Sequence, residues 1–259
     1  MRQDEDETVR QISGLSEISG RYDAVLCDIW GVLHNGVASF PPASAALSAF
    51  RARGGAVVLI TNAPRPSPPI QRQVLKLGVP PEAFDAVVTS GDVTIGLMER
   101  ETGDRVLHIG PARDLSLFDA AAEAGARPRL VALEEADYAL CTGLRRDETE
   151  TPEDYRDRLK VAADRGLLFI CANPDRVVQR GDKLIYCAGA LADLYEELGG
   201  QVVMAGKPFA AIYDLALAEA ERLKGGPVDR SRVLCIGDGV ITDVRGAENQ
   251  KLACLFVAK

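Results

Sequence analysis

Short runs of apolar, β-branched residues alternate along the chain with Ala- and Leu-rich stretches in which apolar residues recur at helical spacing. Such uninterrupted apolar runs indicate strands buried on both faces, and the stretches between them indicate crossover helices. The alternation predicts an α/β fold built on a parallel sheet. The clearest predicted strands are AVLCD (24–28), AVVLIT (56–61), DAVVTS (85–90), QVVMA (201–205), RVLCIG (232–237) and LACLFVA (252–258). Helices are predicted at 42–53, 67–77, 92–101, 208–224 and 242–250.

The same alternation restarts in the middle of the chain, between about residues 103 and 185. This stretch contains enough predicted strands and helices for a small sheet of its own, which favours a second α/β lobe inserted into the first. The predicted division is residues 1–100 and 186–259 for the main lobe and 101–185 for the insertion. After the last predicted strand the sequence stops without a closing helix, so we expect either a ragged sheet edge or an incomplete chain.

Charge and composition exclude several classes of function. The 259 residues carry a formal charge of -8, which argues against a nucleic-acid-binding surface built from clustered Lys and Arg. No apolar run approaches the roughly 20 residues that span a bilayer, and the charged start lacks the apolar core of a signal peptide. We therefore expect a cytoplasmic protein with no membrane or nucleic-acid partner. Six cysteines without a CxxC pair and only two histidines favour buried thiols over a zinc site.

Polar side chains follow several predicted strands, where parallel α/β sheets collect their ligands. They are Asp28, the pair Thr61 and Asn62, Lys207, and the pair Asp238 and Asp243. Carboxylates are hard oxygen ligands for Mg²⁺, whereas a hydroxyl, backbone amides and an ammonium group hold phosphoryl oxygens. Each feature alone also fits a turn or a helix cap, but their order along the chain predicts a phosphate site with Mg²⁺. A carboxylate such as Asp28 can attack phosphorus and form an aspartyl-phosphate.

This ordered set resembles the haloacid dehalogenase-like hydrolases, and specifically their class IIA branch of NagD-like and 4-nitrophenylphosphatase-like proteins. Four segments resemble the family's motifs, and TSGDVT (89–94) and ANPD (172–175) resemble further markers of the branch. The four segments are AVLCDIWGVLHNG (24–36), ITNAPRPS (60–67), AGKPFAAIYDLAL (205–217) and CIGDGVITDVRGA (235–247). The resemblance implies a Rossmann-like core with a class C2 cap between the second and third motifs, and it is compatible with a homodimer.

The resemblance also implies a role for each matching residue. Asp28 would be the nucleophile and a Mg²⁺ ligand, with Asp238 a further ligand and Asp243 a ligand or its anchor. The backbone carbonyl of Trp30 would face the metal. Three residues would hold the phosphoryl group and its surroundings: Thr61, Lys207 and the Asn62 amide.

Trp30 departs from the family pattern, in which a second Asp at this position protonates the leaving group. An indole can donate a hydrogen bond but cannot exchange a proton near neutral pH. Loss of a positioned acid and base typically costs about 10² to 10⁴ in rate, mostly for substrates with poor leaving groups. His34 and Asp175 are the candidates to replace this acid, although each also fits a plain hydrogen-bonding role in a loop or turn.

Four functions are compatible with parts of the sequence. The leading hypothesis is a Mg²⁺-dependent phosphatase for a small phosphorylated metabolite, and the alternative is a binding or regulatory protein that keeps the phosphate site with little turnover. A nucleotide-binding dehydrogenase is disfavoured because Thr242 stands where the last glycine of its fingerprint belongs. A metal-free dehalogenase, which also carries an aromatic residue after its nucleophile, is disfavoured because Asp238 and Asp243 would repel a carboxylate substrate.

Overall fold

Two parallel five-stranded sheets organise the chain, which a computed structural model describes over residues 9–100, 103–180 and 182–258. In both sheets every strand runs parallel to its neighbours. The first sheet contains, in spatial order, β12 (Ala253–Phe256), β11 (Val233–Gly237), β1 (Ala24–Asp28), β2 (Ala56–Thr61) and β3 (Ala86–Thr89). The second contains β10 (Gln201–Met204), β7 (Leu168–Cys171), β6 (Tyr138–Cys141), β4 (Arg105–Ile109) and β5 (Arg129–Leu130).

An antiparallel hairpin stands apart from both sheets. It consists of β8 (Val177–Arg180) and β9 (Lys183–Tyr186). The α-helices of the described residues are α1 (Pro41–Ala52), α2 (Ser67–Lys76), α3 (Ser90–Arg100), α4 (Ser116–Ala124), α5 (Arg156–Asp164), α6 (Ala188–Glu197), α7 (Ala210–Lys224) and α8 (Arg245–Asn249). A π-helical turn, Val240–Val244, leads directly into α8.

The first sheet is covered on both faces, which explains the uninterrupted apolar runs of its strands. Val25 and Cys27 of β1 point into one buried cluster, which contains residues of α1 and α2. Ala24 and Leu26 point into the opposite cluster, which contains residues of α7. Successive side chains of a strand alternate between faces, so every position of such a strand must be apolar. All five residues of β1 are buried as a result, including Asp28 at its end.

The second sheet has the same three-layer arrangement. One of its faces packs against α5 and α6, and the other against α4 and Met98 of α3. Leu97 of α3 contacts a core cluster of each sheet, so this helix joins the two lobes. The predicted α/β class and the Rossmann-like parallel core are confirmed.

The second sheet extends further along the chain than the predicted insertion, which was expected to end at residue 185. Helix α6 buries Leu191 and Tyr195 in a cluster of the second sheet, and β10 pairs with β7. The strand predicted at 201–205 therefore exists but does not join the first sheet. The local apolar pattern is the same for a strand in either sheet, which is why the sequence placed this limit too early.

Five of the six cysteines are buried, and all six are free thiols. Cys254 is exposed because β12 lies at the edge of the first sheet. The expectation of buried thiols without disulfides thus holds, with Cys254 as the exception to burial. Among the described residues, no helix is long and apolar enough to cross a membrane.

Candidate active site

The predicted residues Asp28, Thr61 and Asp238 meet at the carboxyl edge of the first sheet. Asp28 ends β1, Thr61 ends β2, and Asp238 directly follows β11. These three strands are adjacent in the sheet, with β1 in the centre. Their carboxyl ends therefore bring the polar residues of three separate segments to one place.

Three carboxylates form the acidic part of this site. Asp28, Asp238 and Asp243 each offer an oxygen, and these oxygens lie within 4.8 Å of one another. Asp243 reaches the group from the π-helical turn, where its Oδ2 accepts the backbone N–H of Gly239 at 3.0 Å. The backbone at Gly31 packs so closely on the Asp238 carboxylate that a Cβ there would overlap it. Hard oxygen donors in this arrangement suit Mg²⁺.

Lys207 lies between two of the carboxylates. Its ammonium Nζ donates to Oδ1 of Asp28 and to Oδ1 of Asp243, both at 2.6 Å, and its side chain is only 2% exposed. Lys207 follows β10 of the second sheet, so the segment returning to the first lobe delivers it to the site. One ammonium group thus serves a cluster of three carboxyl groups, of which it contacts two, and this excess of acidic groups favours a further cation.

Burial and charge act on these groups in opposite directions. Burial raises the pKa of Asp28, although the nearby Lys207 ammonium works against this rise. The pKa of Lys207 lies well above its usual range because Asp243 and Asp28 outweigh the effect of burial on the ammonium. Lys207 therefore stays protonated and can hold an anionic oxygen.

Asn62 fixes the position of Lys207 through both ends of its side-chain amide. Its Oδ1 accepts the Lys207 backbone N–H at 2.7 Å, and its Nδ2 donates to the Lys207 carbonyl at 3.2 Å. The same Nδ2 donates to Oδ1 of Asp175 at 2.8 Å. Asn62 is predicted to lie beside the phosphate, and its side chain also links the first lobe to Asp175 of the second. Asp175 directly precedes Arg176 and the hairpin, so this bond joins the two lobes beside the site.

Trp30 and His34 pack together beyond the carboxylates. Their rings meet edge to face with centroids 5.3 Å apart, and the Trp30 indole N–H donates to the Gln179 carbonyl of β8 at 3.1 Å. His34 is buried, and its Nδ1 accepts the backbone N–H of Gly36 at 3.0 Å. Burial lowers the pKa of His34. The ring is thus a neutral hydrogen-bonding group in the loop after β1.

A cavity of about 150 Å³ lies where the two lobes face each other. Trp30, Thr61 and Arg65 line it from the first lobe, and Asp175 lines it from the second. Thr61 Oγ1 accepts the backbone N–H of Ala63 at 3.2 Å, which leaves its hydroxyl hydrogen for a ligand.

Three arginines that were not predicted from the sequence also line this cavity. Arg65 follows Thr61 in the second motif, and Arg113 and Arg180 come from the second lobe. Arg113 donates to Asp147 at 2.5 Å, and Arg180 approaches the same carboxylate at 3.4 Å. Arg65 lies within the second motif, whereas Arg113 and Arg180 lie outside the motif segments, so only Arg65 had a signal in the sequence.

Comparison with known proteins identifies relatives across the chain. A family model for haloacid dehalogenase-like hydrolases matches residues 25–125, and a HAD-hydrolase-like model matches residues 204–259. A solved structure of a hydrolase of the haloacid dehalogenase-like family from Brucella suis 1330 is 50% identical, with a TM-score of 0.91, and the match covers 96% of this chain and 89% of that chain.

More distant structures share the fold. Glycerol phosphate phosphatase from Mycobacterium tuberculosis, solved in complex with magnesium, is 26% identical with a TM-score of 0.70, and the match covers 92% of this chain and 69% of that chain. NagD from E. coli K-12 is 24% identical with a TM-score of 0.67, over 91% of this chain and 87% of that chain. No curated protein matches the chain significantly.

Proposed function

Since the chain belongs to the haloacid dehalogenase-like hydrolases, we propose that it is a Mg²⁺-dependent phosphatase of a small phosphorylated metabolite, from the NagD-like class IIA branch. The observation that carries this proposal is the position of Lys207 between Asp28 and Asp243, with Asp238 in the same cluster. A nucleophilic carboxylate, a buried ammonium group and an excess of acidic oxygens are the parts that phosphoryl transfer requires. The M. tuberculosis relative that contains magnesium is a glycerol phosphate phosphatase, which supports the same class of reaction.

Asp28 is the proposed nucleophile. Its Oδ1 accepts a hydrogen bond from the Lys207 ammonium, which restricts the orientation of the carboxylate. Attack on phosphorus would form an aspartyl-phosphate and release the alcohol, after which water would release inorganic phosphate. Lys207 and the Thr61 hydroxyl are the proposed contacts to the phosphoryl oxygens, with the Asn62 amide holding Lys207 in place.

Asp28, Asp238 and Asp243 are the proposed residues around Mg²⁺. When bound, the ion would neutralise charge between the nucleophile and the anionic phosphate. The Trp30 carbonyl is a further proposed ligand. The backbone N–H of Gly31 donates to the His34 carbonyl at 2.8 Å. Since the N–H and the C=O of a trans peptide point in opposite directions, the Trp30 carbonyl points away from the His34 carbonyl.

The second lobe is the proposed cap, and it extends over residues 103–204 rather than ending at 185. Asp175 and Arg180 place polar groups of this lobe against the cavity that Thr61 lines from the first lobe. A cap in this position excludes bulk water and contacts the part of the substrate that leaves. The small cavity favours a compact metabolite over a polymer.

A phospho-ligand-binding protein with little turnover is the second candidate function. The observation that favours it is Trp30, whose indole N–H is already used by the Gln179 carbonyl and cannot supply a proton. In this reading the carboxylates and Lys207 bind Mg²⁺ and phosphate but the ester bond is not cleaved.

An assay with three substrates separates these candidates. We would compare p-nitrophenyl phosphate, acetyl phosphate and an alkyl phosphate, with and without Mg²⁺, and use Asp28→Asn as the control. Asn keeps the size of the side chain and removes the nucleophilic oxygen. The phosphatase proposal expects Mg²⁺-dependent release of phosphate that Asp28→Asn abolishes. If no substrate turns over while Mg²⁺ with phosphate still raises the melting temperature, the binding protein is the correct function.

A further inference from the structure

The proposed phosphatase needs a group that protonates the leaving oxygen, and the Trp30 indole cannot do so. Among the described residues, the carboxyl groups that line the cavity are Asp114, Asp147 and Asp175. Asp114 lies 3.9 Å from Arg65 and Asp147 accepts from Arg113, so both are held as ion pairs. Asp175 has no such ion pair within the part of the chain that the structure describes.

The side chain of Asp175 is held in one orientation. Its Oδ1 accepts from Asn62, whereas no hydrogen bond to Oδ2 is found among the described residues. Its backbone is fixed as well, because its N–H donates to Oδ1 of Asn173 at 3.1 Å and its carbonyl accepts from Gly189 at 3.1 Å. One carboxyl oxygen is thus anchored, and the other is left for the cavity.

Asp175 also lies close to the reacting groups. Asn62 contacts both the Asp175 carboxyl and the backbone of Lys207, whose ammonium holds Asp28. The charges of Lys207 and Asp243 both act on the Asp175 carboxyl. Asp175 shares the cavity with Thr61, the proposed phosphate contact. A leaving group that extends from the phosphoryl site into this cavity would therefore pass the Asp175 carboxyl.

His34, the other candidate, does not meet these conditions. Its Nδ1 is occupied by the Gly36 N–H, its ring packs on Trp30, and it does not line the cavity. The neutral ring is therefore a structural hydrogen-bonding group.

We propose that Asp175 is the general acid and base of this enzyme, in place of the residue that Trp30 replaces. This proposal rests on the proposed phosphatase activity at Asp28. As Asp28 bonds to phosphorus and the ester P–O bond breaks, the proton of the Asp175 carboxyl moves to the departing oxygen. The Asp175 carboxylate then takes a proton from the water that attacks phosphorus, which releases inorganic phosphate and restores Asp28 and the Asp175 acid.

The surroundings of Asp175 favour its protonated form. Burial raises the pKa of Asp175, and the negative charge of Asp243 adds to this rise. Lys207 and Arg176 face the same carboxyl and lower its pKa, as does the hydrogen bond from Asn62, but burial dominates. A raised pKa is what a carboxyl group needs in order to donate a proton near neutral pH.

Asp175→Asn is the decisive variant. The Asn carbonyl oxygen can still accept from Asn62 and the side chain keeps its size, so only the proton transfer is removed. We expect cleavage of an alkyl phosphate to fall by about 10² to 10³. The burst of p-nitrophenolate in a rapid-mixing experiment should stay within a few fold of wild type, because this leaving group departs without a proton. Wild-type cleavage of the alkyl phosphate should also fall as pH rises and Asp175 ionises.

A second variant tests the same assignment by rescue. Trp30→Asp in the Asp175→Asn background returns a carboxyl to the family's usual position, and we expect part of the alkyl phosphate activity to return. Equal loss on both substrates in Asp175→Asn would show a positioning role and overturn the proposal, as would unchanged activity on the alkyl phosphate. These outcomes require an active wild type. A wild type inactive on every phosphate would overturn the phosphatase itself, and with it the role of Asp175.

Discussion

The indole N–H of Trp30 donates to the backbone carbonyl of Gln179 at 3.1 Å, across 149 positions of sequence. Trp30 belongs to the loop that follows the proposed nucleophile, and Gln179 belongs to the hairpin of the second lobe. Trp30, at the position where the family pattern has an acid, therefore links the two lobes beside the cavity. We expect this contact to stabilise the closed arrangement of the proposed cap, since it joins the loop after Asp28 to the hairpin of the second lobe.

Trp30→Phe removes this hydrogen bond and keeps an aromatic ring against His34. A net hydrogen bond of this kind contributes about 0.5–1.5 kcal/mol, so we expect KM for p-nitrophenyl phosphate to rise roughly two- to tenfold. The burst rate at saturating substrate should change less, because Trp30 transfers no proton. Val37→Ala, at an exposed position of the same loop, is the matched control and should change neither the KM nor the burst rate. A KM equal to that of wild type would show that the Trp30 contact does not stabilise the closed cap.

Lys207→Met is expected to destabilise the fold as well as abolish activity. The substitution leaves Asp28 and Asp243 buried without their cation, and breaking a buried pair in this way costs about 3–5 kcal/mol. Chemical denaturation in the presence of a chelator would measure the loss. The matched control is Lys160→Met, which removes an exposed ion pair with Asp164 and should cost no more than about 1 kcal/mol. Similar losses for the two variants would contradict the buried role of Lys207.

The positions of Asp28, Thr61 and Asp238 could be predicted from the sequence because each depends on local information. A strand ends, a polar residue follows, and adjacent parallel strands bring such residues to one edge. Lys207 was also predicted for the site, but for an incomplete reason. It follows a strand that belongs to the second sheet, and the sheet that a strand joins depends on distant partners rather than on its own apolar pattern.

Contacts between the lobes could not be predicted from local sequence patterns, for the same physical reason. The hydrogen bond from Asn62 to Asp175 joins residues 113 positions apart, and only the folded chain shows that it forms. The sequence left both His34 and Asp175 open as proton donors. The structure distinguishes them because His34 Nδ1 accepts from the Gly36 N–H, whereas Asp175 lines the cavity. Neither contact follows from residue type.

Gly31→Ala tests the proposed Mg²⁺ site through the backbone. Gly31 has φ of 86°, which an alanine adopts only with strain, and a Cβ there would overlap the Asp238 carboxylate. We expect Asp238 to be displaced, so that the rise in melting temperature on adding Mg²⁺ is strongly reduced. Gly226→Ala is the control because its Cβ would meet open space, and it should keep the full response to Mg²⁺. If Gly31→Ala keeps the full response, Asp238 is not part of the metal site.

His108 is expected to make stability depend on pH in the acidic range. Its Nε2 lies 3.0 Å from the Thr142 hydroxyl, and burial, with Arg145 nearby, lowers the pKa of His108 to about 4. The unfolded chain takes up a proton near the ordinary histidine pKa of about 6.5, whereas the folded chain does so only near 4. Stability is therefore greatest above the higher value and falls as pH decreases between the two. Partial exposure of the ring reduces the effect, which we expect to be about 2 kcal/mol.

His108→Gln retains a polar side chain and lacks the titration, so the free energies of unfolding at pH 7 and pH 4.5 should differ less for this variant than for wild type. Equal pH dependence in the two proteins would assign the effect to other groups.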